Sequence, residues 1–310
     1  MKPFRFGVNV RDPGSAADWI SLARKLEALG YSTLNLPDHL TDRPAPLPAL
    51  AVAAAVTTRL RVGTLVINND FRHPVLLARE AATLDFLSGG RFELGLGAGY
   101  VKREYDEASL RFDPGGVRVE RLGEAAAIVK RLFGGEAVTF RGRHYQVTGH
   151  TIHPRPVQQP RLPVLIGGNG PRLLELAARE ADIVGLTGIT FARGGTAPDM
   201  AGFRAAGVDE RVEHVRAAAG DRFDEVELSA LVQRVVLTED RRGAAAELGQ
   251  RWTTLTVEDI LDSPFVLLGS IDEIVAQLVA HRLRWGISYY VVFENVVDAF
   301  APVVERLTGL

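Results

Sequence analysis

Apolar positions along this chain recur with two periods in turn. In PFRFGVNV, Phe4, Phe6 and Val8 alternate with other residues as a half-buried strand requires. Trp19, Leu22, Ala23, Leu26 and Leu29 then return at helical spacing. Ser15 and Asp18 form a Ser-x-x-Asp capping box before that helix, and Gly30 stands where a left-handed residue ends it. The alternation predicts a strand at 32–37, a helix at 47–56, strands at 60–67 and 91–96, and a helix at 74–87 between them. A helix over 117–133 stops at Gly134 and Gly135, and VTFRGRHYQV reads as a small hairpin turning at Gly142. Strands resume at 163–166, 183–187, 226–237 and 287–293. Helices follow Pro171, lie near 208–219, follow Ser270 with Glu273 as a second capping box, and follow Val297.

Strands that alternate with helices are parallel, because a parallel pair needs a crossover connection. Eight such units without a Pro/Ser-rich linker predict the α/β class and one (β/α)8 TIM barrel over 1–310. Insertions are expected around 134–160 and 188–265. The second begins with GITFARGGTAPDMAG, a candidate lid beside the site. Two doubly wound domains are the alternative that 310 residues also allow.

Charge and composition narrow the chemistry. Thirty-six basic against 38 acidic residues leave no field for holding nucleic acid or an anionic membrane. Cysteine is absent, which excludes disulfides, thiol nucleophiles, iron-sulfur clusters and thiolate zinc sites. His150 and His153 lie in an extended, proline-bounded segment without accompanying carboxylates, so no metal is assigned. His144, His214 and His281 read as surface or helix-side residues, and Trp19, Trp252 and Trp285 as packing. The longest apolar run is too short for a bilayer and the N-terminus lacks a signal-peptide core, so a cytoplasmic protein is expected.

In a barrel, active-site groups come from the strand ends that lead into helices. Asp38 and His39 end the second strand, pairing a carboxylate with a group that titrates near neutrality. Asn68 and Asn69 end the third. Gly95, Gly97 and Gly99 strip side chains from the fourth, which would let a flat ring or a backbone-bound ligand approach closely. The fifth runs into Gly167, Gly168, Asn169 and Gly170 before Pro171, a turn whose amides and helix dipole suit a phosphate. Thr187 and Gly188, after the sixth strand, add a hydroxyl and an amide.

The string RLRVGTLVINNDFRHPVLLAREAATLDFLSGGRFELGLGAGY, with LPDHL before it and LPVLIGGNGPRLLELAAREADIV after it, resembles the luciferase-like monooxygenase superfamily. VLLGSIDEIVAQLVAHRLRWGISYYVVF is similar to its last two units. The resemblance implies a homodimeric (β/α)8 barrel. Asp-His after strand two implies the branch that uses the deazaflavin coenzyme F420 rather than FMN with oxygen. It further implies that Asp38 contacts the ring region and that His39 stands near the reactive C5 as proton donor or acceptor. A non-prolyl cis peptide is implied between Leu65 and Val66, in a bulge backing the ring. Asn68 would hydrogen-bond the ring, and Ala98, Gly99 and Arg103 would flank the ring or its tail. Ile166, Gly167, Gly168, Asn169, Thr187 and Gly188 would bind around the phosphate. The sugar-phosphate dehydrogenases of the family carry a glutamate where this chain has Tyr100, which argues against that substrate class.

The resulting expectation is an F420-dependent oxidoreductase that moves a hydride between C5 of the deazaflavin and a small organic substrate, with His39 and Asp38 as catalytic residues. An FMN-dependent two-component monooxygenase, a non-catalytic flavin-binding protein and a phosphate-ester barrel enzyme are the alternatives.

Overall fold

The computed structural model describes residues 1–41, 43–191 and 198–310. Eight parallel strands run in chain order as β1 (Arg5–Asn9), β2 (Thr33–Leu36), β3 (Arg61–Thr64), β4 (Phe92–Gly97), β5 (Val164–Gly167), β6 (Ile183–Leu186), β7 (Glu227–Leu231) and β8 (Ile287–Phe293). The helices that follow them are α1 (Ala16–Ala28), α2 (Pro46–Ala55), α3 (Pro74–Ser88), α4 (Gly115–Phe133), α5 (Pro171–Glu180), α6 (Ala205–Ala219), α7 (Ile271–Trp285) and α8 (Val297–Leu307). The architecture is the α/β (β/α)8 barrel that the strand spacing predicts. The chain forms two compact units, one of residues 1–9, 28–32 and 167–310, the other of residues 10–27 and 33–166.

In the first unit β1, β8, β7 and β6 pair in that order, all parallel, with Arg5 opposite Tyr289 and Asn9 opposite Phe293. Phe6 packs edge-on against Phe300 of α8 at 5.7 Å, and both rings are fully buried. The Ser270–Glu273 capping box opens α7, and Gly286 closes it at φ 77°. The strand expected over 226–237 is two strands. β7 ends at Leu231, and Arg234–Leu237 pairs instead with Val266–Gly269 in a separate parallel ribbon. No glycine or proline marks the break within 226–237. The candidate lid falls partly on residues 192–197, outside the described residues; on either side of them Thr190–Phe191 and Pro198–Asp199 pair antiparallel.

In the second unit β2 pairs β3, β3 pairs β4 and β4 pairs β5. The Ser15–Asp18 capping box is present, with Ser15 N–H donating to the Asp18 carboxylate at 3.0 Å. The hairpin of Val138–Arg141 and Gln146–His150 turns at Gly142 as expected. Its tip is held by Glu124 of α4, whose carboxylate accepts from the backbone N–H of Arg143, His144 and Tyr145 at 2.7–3.0 Å. Glu27 of α1 holds the approach to β3 in the same way, accepting from Thr58, Arg59 and Leu60 N–H.

β3 does not run unbroken to residue 67. Val62 and Gly63 face Phe92 and Glu93, whereas Ile67 and Asn68 face Leu96 and Gly97, so β3 carries one extra residue. The Leu65–Val66 peptide inside this bulge is cis. In place of ladder bonds, the Thr64 hydroxyl accepts from Gly95 N–H at 2.9 Å and donates to Gly95 C=O at 3.0 Å. A Cβ at Gly95 would lie 1.9 Å from the Thr64 carbonyl oxygen, and one at Gly97 would lie 2.6 Å from Val66 Cγ2. At these two glycines the chain's own third strand takes the space that a side chain would need.

Two consequences are measurable. Gly95→Ala places a methyl against backbone that cannot move aside, and it should cost about 3 kcal/mol or prevent folding, read by urea unfolding. Burial acts to raise the Glu27 carboxyl, but the three N–H donors prevail and pull it from 4.5 to about 2. Its stabilisation is thus complete above 4.5 and fades as pH falls toward 2. Glu27→Gln should cost about 1–2 kcal/mol at neutral pH, allowing for solvent screening, with the gap to the unsubstituted protein closing across that acid window.

Candidate active site

The end of β2 and the bulge of β3 are knitted together through Asp38. Its N–H donates to Val66 C=O at 3.3 Å, and its Oδ2 accepts from Asn68 N–H at 3.1 Å. The Arg72 guanidinium forms an ion pair with the same carboxylate, which is buried. Asp38 therefore holds Val66 through its N–H, and its carboxylate is engaged by Asn68 N–H and Arg72. Arg72, four residues beyond Asn68, was not singled out from the sequence because a lone basic residue near a strand end carries no pattern.

Asn68 is buried, and its Oδ1 accepts from Asp70 N–H at 3.1 Å. The Tyr105 hydroxyl lies 3.0 Å from Asn68 Oδ1 and 3.1 Å from Asp70 Oδ2. Burial, reinforced by the Asp70 charge, pushes the Tyr105 phenol far above its usual range, so it remains a donor. Gly99, at φ 70°, leaves room for this contact, since a Cβ there would fall 2.1 Å from the Tyr105 oxygen. Ala98 precedes it at the end of β4, and Ile166 is buried in β5.

Tyr105 belongs to a helix, Lys102–Glu107, that the sequence pattern did not show; the first helix after β4 was expected near residue 117. Six mostly charged residues give no apolar period to detect. The helix turns Arg103 outward, where its guanidinium sits 3.5 Å from Glu107 in an exposed pair. The structure thus does not gather Arg103 with Asp38, His39 and Asn68. Its neighbour Glu104 points inward and is buried, with Oε1 2.8 Å from His39 Nδ1. Tyr100 stands edge-on to the His39 ring at 5.9 Å and 87°. Burial and then the Glu104 charge raise the Tyr100 hydroxyl above its ordinary value, so it is protonated at neutral pH.

Beside this cluster, Asp70 and Asp113 both hold Arg121, and Asp113 also pairs with Arg111 at 2.6 Å. Together with Arg72, His73, His144 and Tyr145 these groups line a cavity of about 480 Å3. His73 and His144 had no assigned role in the sequence; His73 caps α3 by accepting from Val75 N–H at 3.3 Å. His281 lies buried on the side of α7, and burial lowers it to about 4. Among the described residues no three of His, Asp and Glu are grouped to hold a metal ion, and no helix is long and apolar enough to cross a membrane.

The first unit contains the glycine turn. Gly168 N–H donates to Gly185 C=O at 3.0 Å, and a Cβ at Gly168 would meet Leu173 at 2.1 Å. Asn169 does not cap α5. Its amide instead donates to Thr187 Oγ1 at 2.7 Å and Ile189 C=O at 2.6 Å, tying the turn to the end of β6. Gly170 is the N-cap, and among the described residues no side chain satisfies the first amides of α5. The turn formed by Gly167, Gly168, Asn169, Thr187 and Gly188 is thus tied together at the start of α5, where Leu173 and Leu174 N–H donate to Gly170 C=O at 3.0 and 2.9 Å. Gly188, at φ 71°, is packed on Phe265.

Comparison with known proteins shows the family to which the chain belongs. Over 192 residues the chain is 35% identical to the F420-dependent glucose-6-phosphate dehydrogenase of Microbacterium testaceum and 34% identical to that of Nakamurella multipartita. Each match covers 58% of this chain and 55% of the relative, so the chain spans about half the length of the curated relatives it matches. The coenzyme F420-dependent tetrahydromethanopterin reductase of Methanopyrus kandleri has the same fold, at a TM-score of 0.77 and 19% identity over 99% of this chain and 100% of that one. An F420-dependent secondary alcohol dehydrogenase, in complex with an F420-acetone adduct, superposes at 0.78 with 16% identity over 99% of both chains. The long-chain alkane monooxygenase LadA does so at 0.74 with 15% identity, covering 99% of this chain and 91% of its own. The family model for luciferase-like monooxygenases matches residues 1–288. With that match over most of its length, and with Asp38 and His39 at the end of β2, this chain belongs to the luciferase-like monooxygenase family.

Proposed function

We propose that this protein is an F420-dependent oxidoreductase acting on a small organic substrate. The observation that carries the reading is His39, held through Nδ1 at the end of β2 beside the Asp38-anchored bulge. The named relatives support the choice of cofactor. The residues fit a deazaflavin: Asn68 offers an amide beside the bulge, and Ala98 and Gly99 keep the end of β4 free of large side chains. Bound there, the deazaflavin would supply a carbon, C5, that accepts or delivers a hydride.

The chain's own work is then positioning and proton handling. Asp38, paired with Arg72, holds the bulge in register rather than carrying protons. His39 uses Nε2 to take the substrate proton when a hydride leaves, or returns it in the opposite direction. Tyr100, a neutral phenol where a second carboxyl would make a second acid, leaves His39 to move the single proton.

Monooxygenases among the proteins of the same fold support a second reading, an FMN-dependent monooxygenase. Titration with F420, followed by absorbance, separates the two. Binding of F420 is expected, and His39→Ala should retain it while turnover falls about 10²–10⁴-fold. Undiminished turnover would remove the proton role. Absence of F420 binding, with oxygen uptake on supplying reduced FMN, would establish the second reading.

A homodimer completes the proposal. Leu76, Phe86 and Leu87 of α3 expose apolar side chains that a second copy would cover. Light scattering should give two chains of 33.7 kDa each, and Phe86→Asp with Leu87→Asp should yield single chains. A monomeric parent protein would refute the dimer.

A further inference from the structure

We infer that Glu104 is the positioning residue for His39 and selects which of its ring nitrogens carries the proton; its part in turnover rests on the functional reading above. Glu104 lies in a connecting helix, not at a strand end, and its side chain is only 3% exposed. A six-residue helix needing only to pack would bury an apolar group at this position, since burying a carboxyl without a partner costs several kcal/mol. The partner here is His39 Nδ1, at 2.8 Å. A carboxylate oxygen only accepts, so Nδ1 carries the hydrogen and the neutral ring keeps its lone pair on Nε2.

The surrounding groups make this arrangement rigid. Tyr100 meets the His39 ring edge-on, so the imidazole is flanked on one side and anchored at Nδ1. The adjoining Asp38 is engaged by Arg72 and by Asn68 N–H and does not compete for the ring. Glu104 and Tyr105 are consecutive, and both point inward from the same helical turn. One grips His39 and the other Asn68, so a single short helix sets both groups relative to each other. The outer face of that helix is tied down separately by Lys102 and Asp106 at 2.6 Å.

Nitrogen-15 NMR of histidine-labelled protein at alkaline pH, with the His39 signals assigned by their loss in His39→Gln, reads the tautomer without cofactor or substrate. The unsubstituted protein should show the Nδ1–H form, the minority form of free imidazole. Glu104→Gln, which keeps an acceptor oxygen, should retain that form, and Glu104→Ala should shift it toward Nε2–H. In turnover, Glu104→Ala should lower kcat about 10- to 100-fold with F420 affinity changed by less than about threefold, and Glu104→Gln should recover much of the loss. An Nε2–H tautomer in the unsubstituted protein overturns the inference, as does a tautomer or a kcat unchanged in Glu104→Ala. Should Glu104→Ala fail to fold, the spectra of the unsubstituted and Glu104→Gln proteins decide the matter. If F420 does not bind, the cofactor reading fails while the tautomer still reports on Glu104.

Discussion

Strands β3 and β4 approach so closely after residue 63 that a side chain at Gly95 would overlap the Thr64 carbonyl. Much of the site follows from that approach. With no room for a regular ladder, the Thr64 hydroxyl takes over both backbone groups of Gly95, and β3 absorbs one extra residue before pairing resumes at Ile67. The extra residue carries Asn68 to the Asp38 carboxylate and to the Tyr105 hydroxyl. Glycines at the end of β4 are thus a structural requirement of the bulge.

The polar groups around the bulge are organised as a hierarchy. Asp38 is held by Arg72, Asp70 by Arg121, and Arg121 in turn by Asp113. Each buried charge therefore has an opposite charge and a directional hydrogen bond, the condition under which such groups are tolerated in a core. Elsewhere in the same unit, carboxylates secure bare backbone. Glu27 does so before β3, Glu124 at the hairpin tip, and Asp85, which accepts from Val157 N–H at 2.7 Å and Gln158 N–H at 3.2 Å, on the way to β5. These segments lack ladder partners, and an acidic side chain supplies the missing acceptors. His39 differs in retaining one ring nitrogen outside this web.

The strand-helix rhythm, both capping boxes, the Gly142 hairpin and the Asp38–His39 strand end could all be read directly, because each depends on neighbours a few residues apart. Glu104 could not. Its partner is 65 positions away, and within KREYDE it is one of several charged residues with nothing local to mark it as buried. Tyr105 and Arg72 were hidden for the same reason. Arg103, which family resemblance sets beside the ring or its tail, lies on the outward side of a helix too short and too polar to be foreseen.

By itself the sequence determined the class of fold, since hydrophobic periodicity and turn residues act through the local backbone and a parallel sheet is the one arrangement that strict strand-helix alternation permits. It also determined which strand ends carry polar groups. Only the tertiary structure decided how those groups are employed: that Asp38 is committed to Arg72 and the bulge, that β4 glycines receive β3, and that Glu104 reaches His39 Nδ1. A side chain's chemistry is set by its distance to groups remote in sequence and by its exclusion from water, and neither exists until the strands have paired.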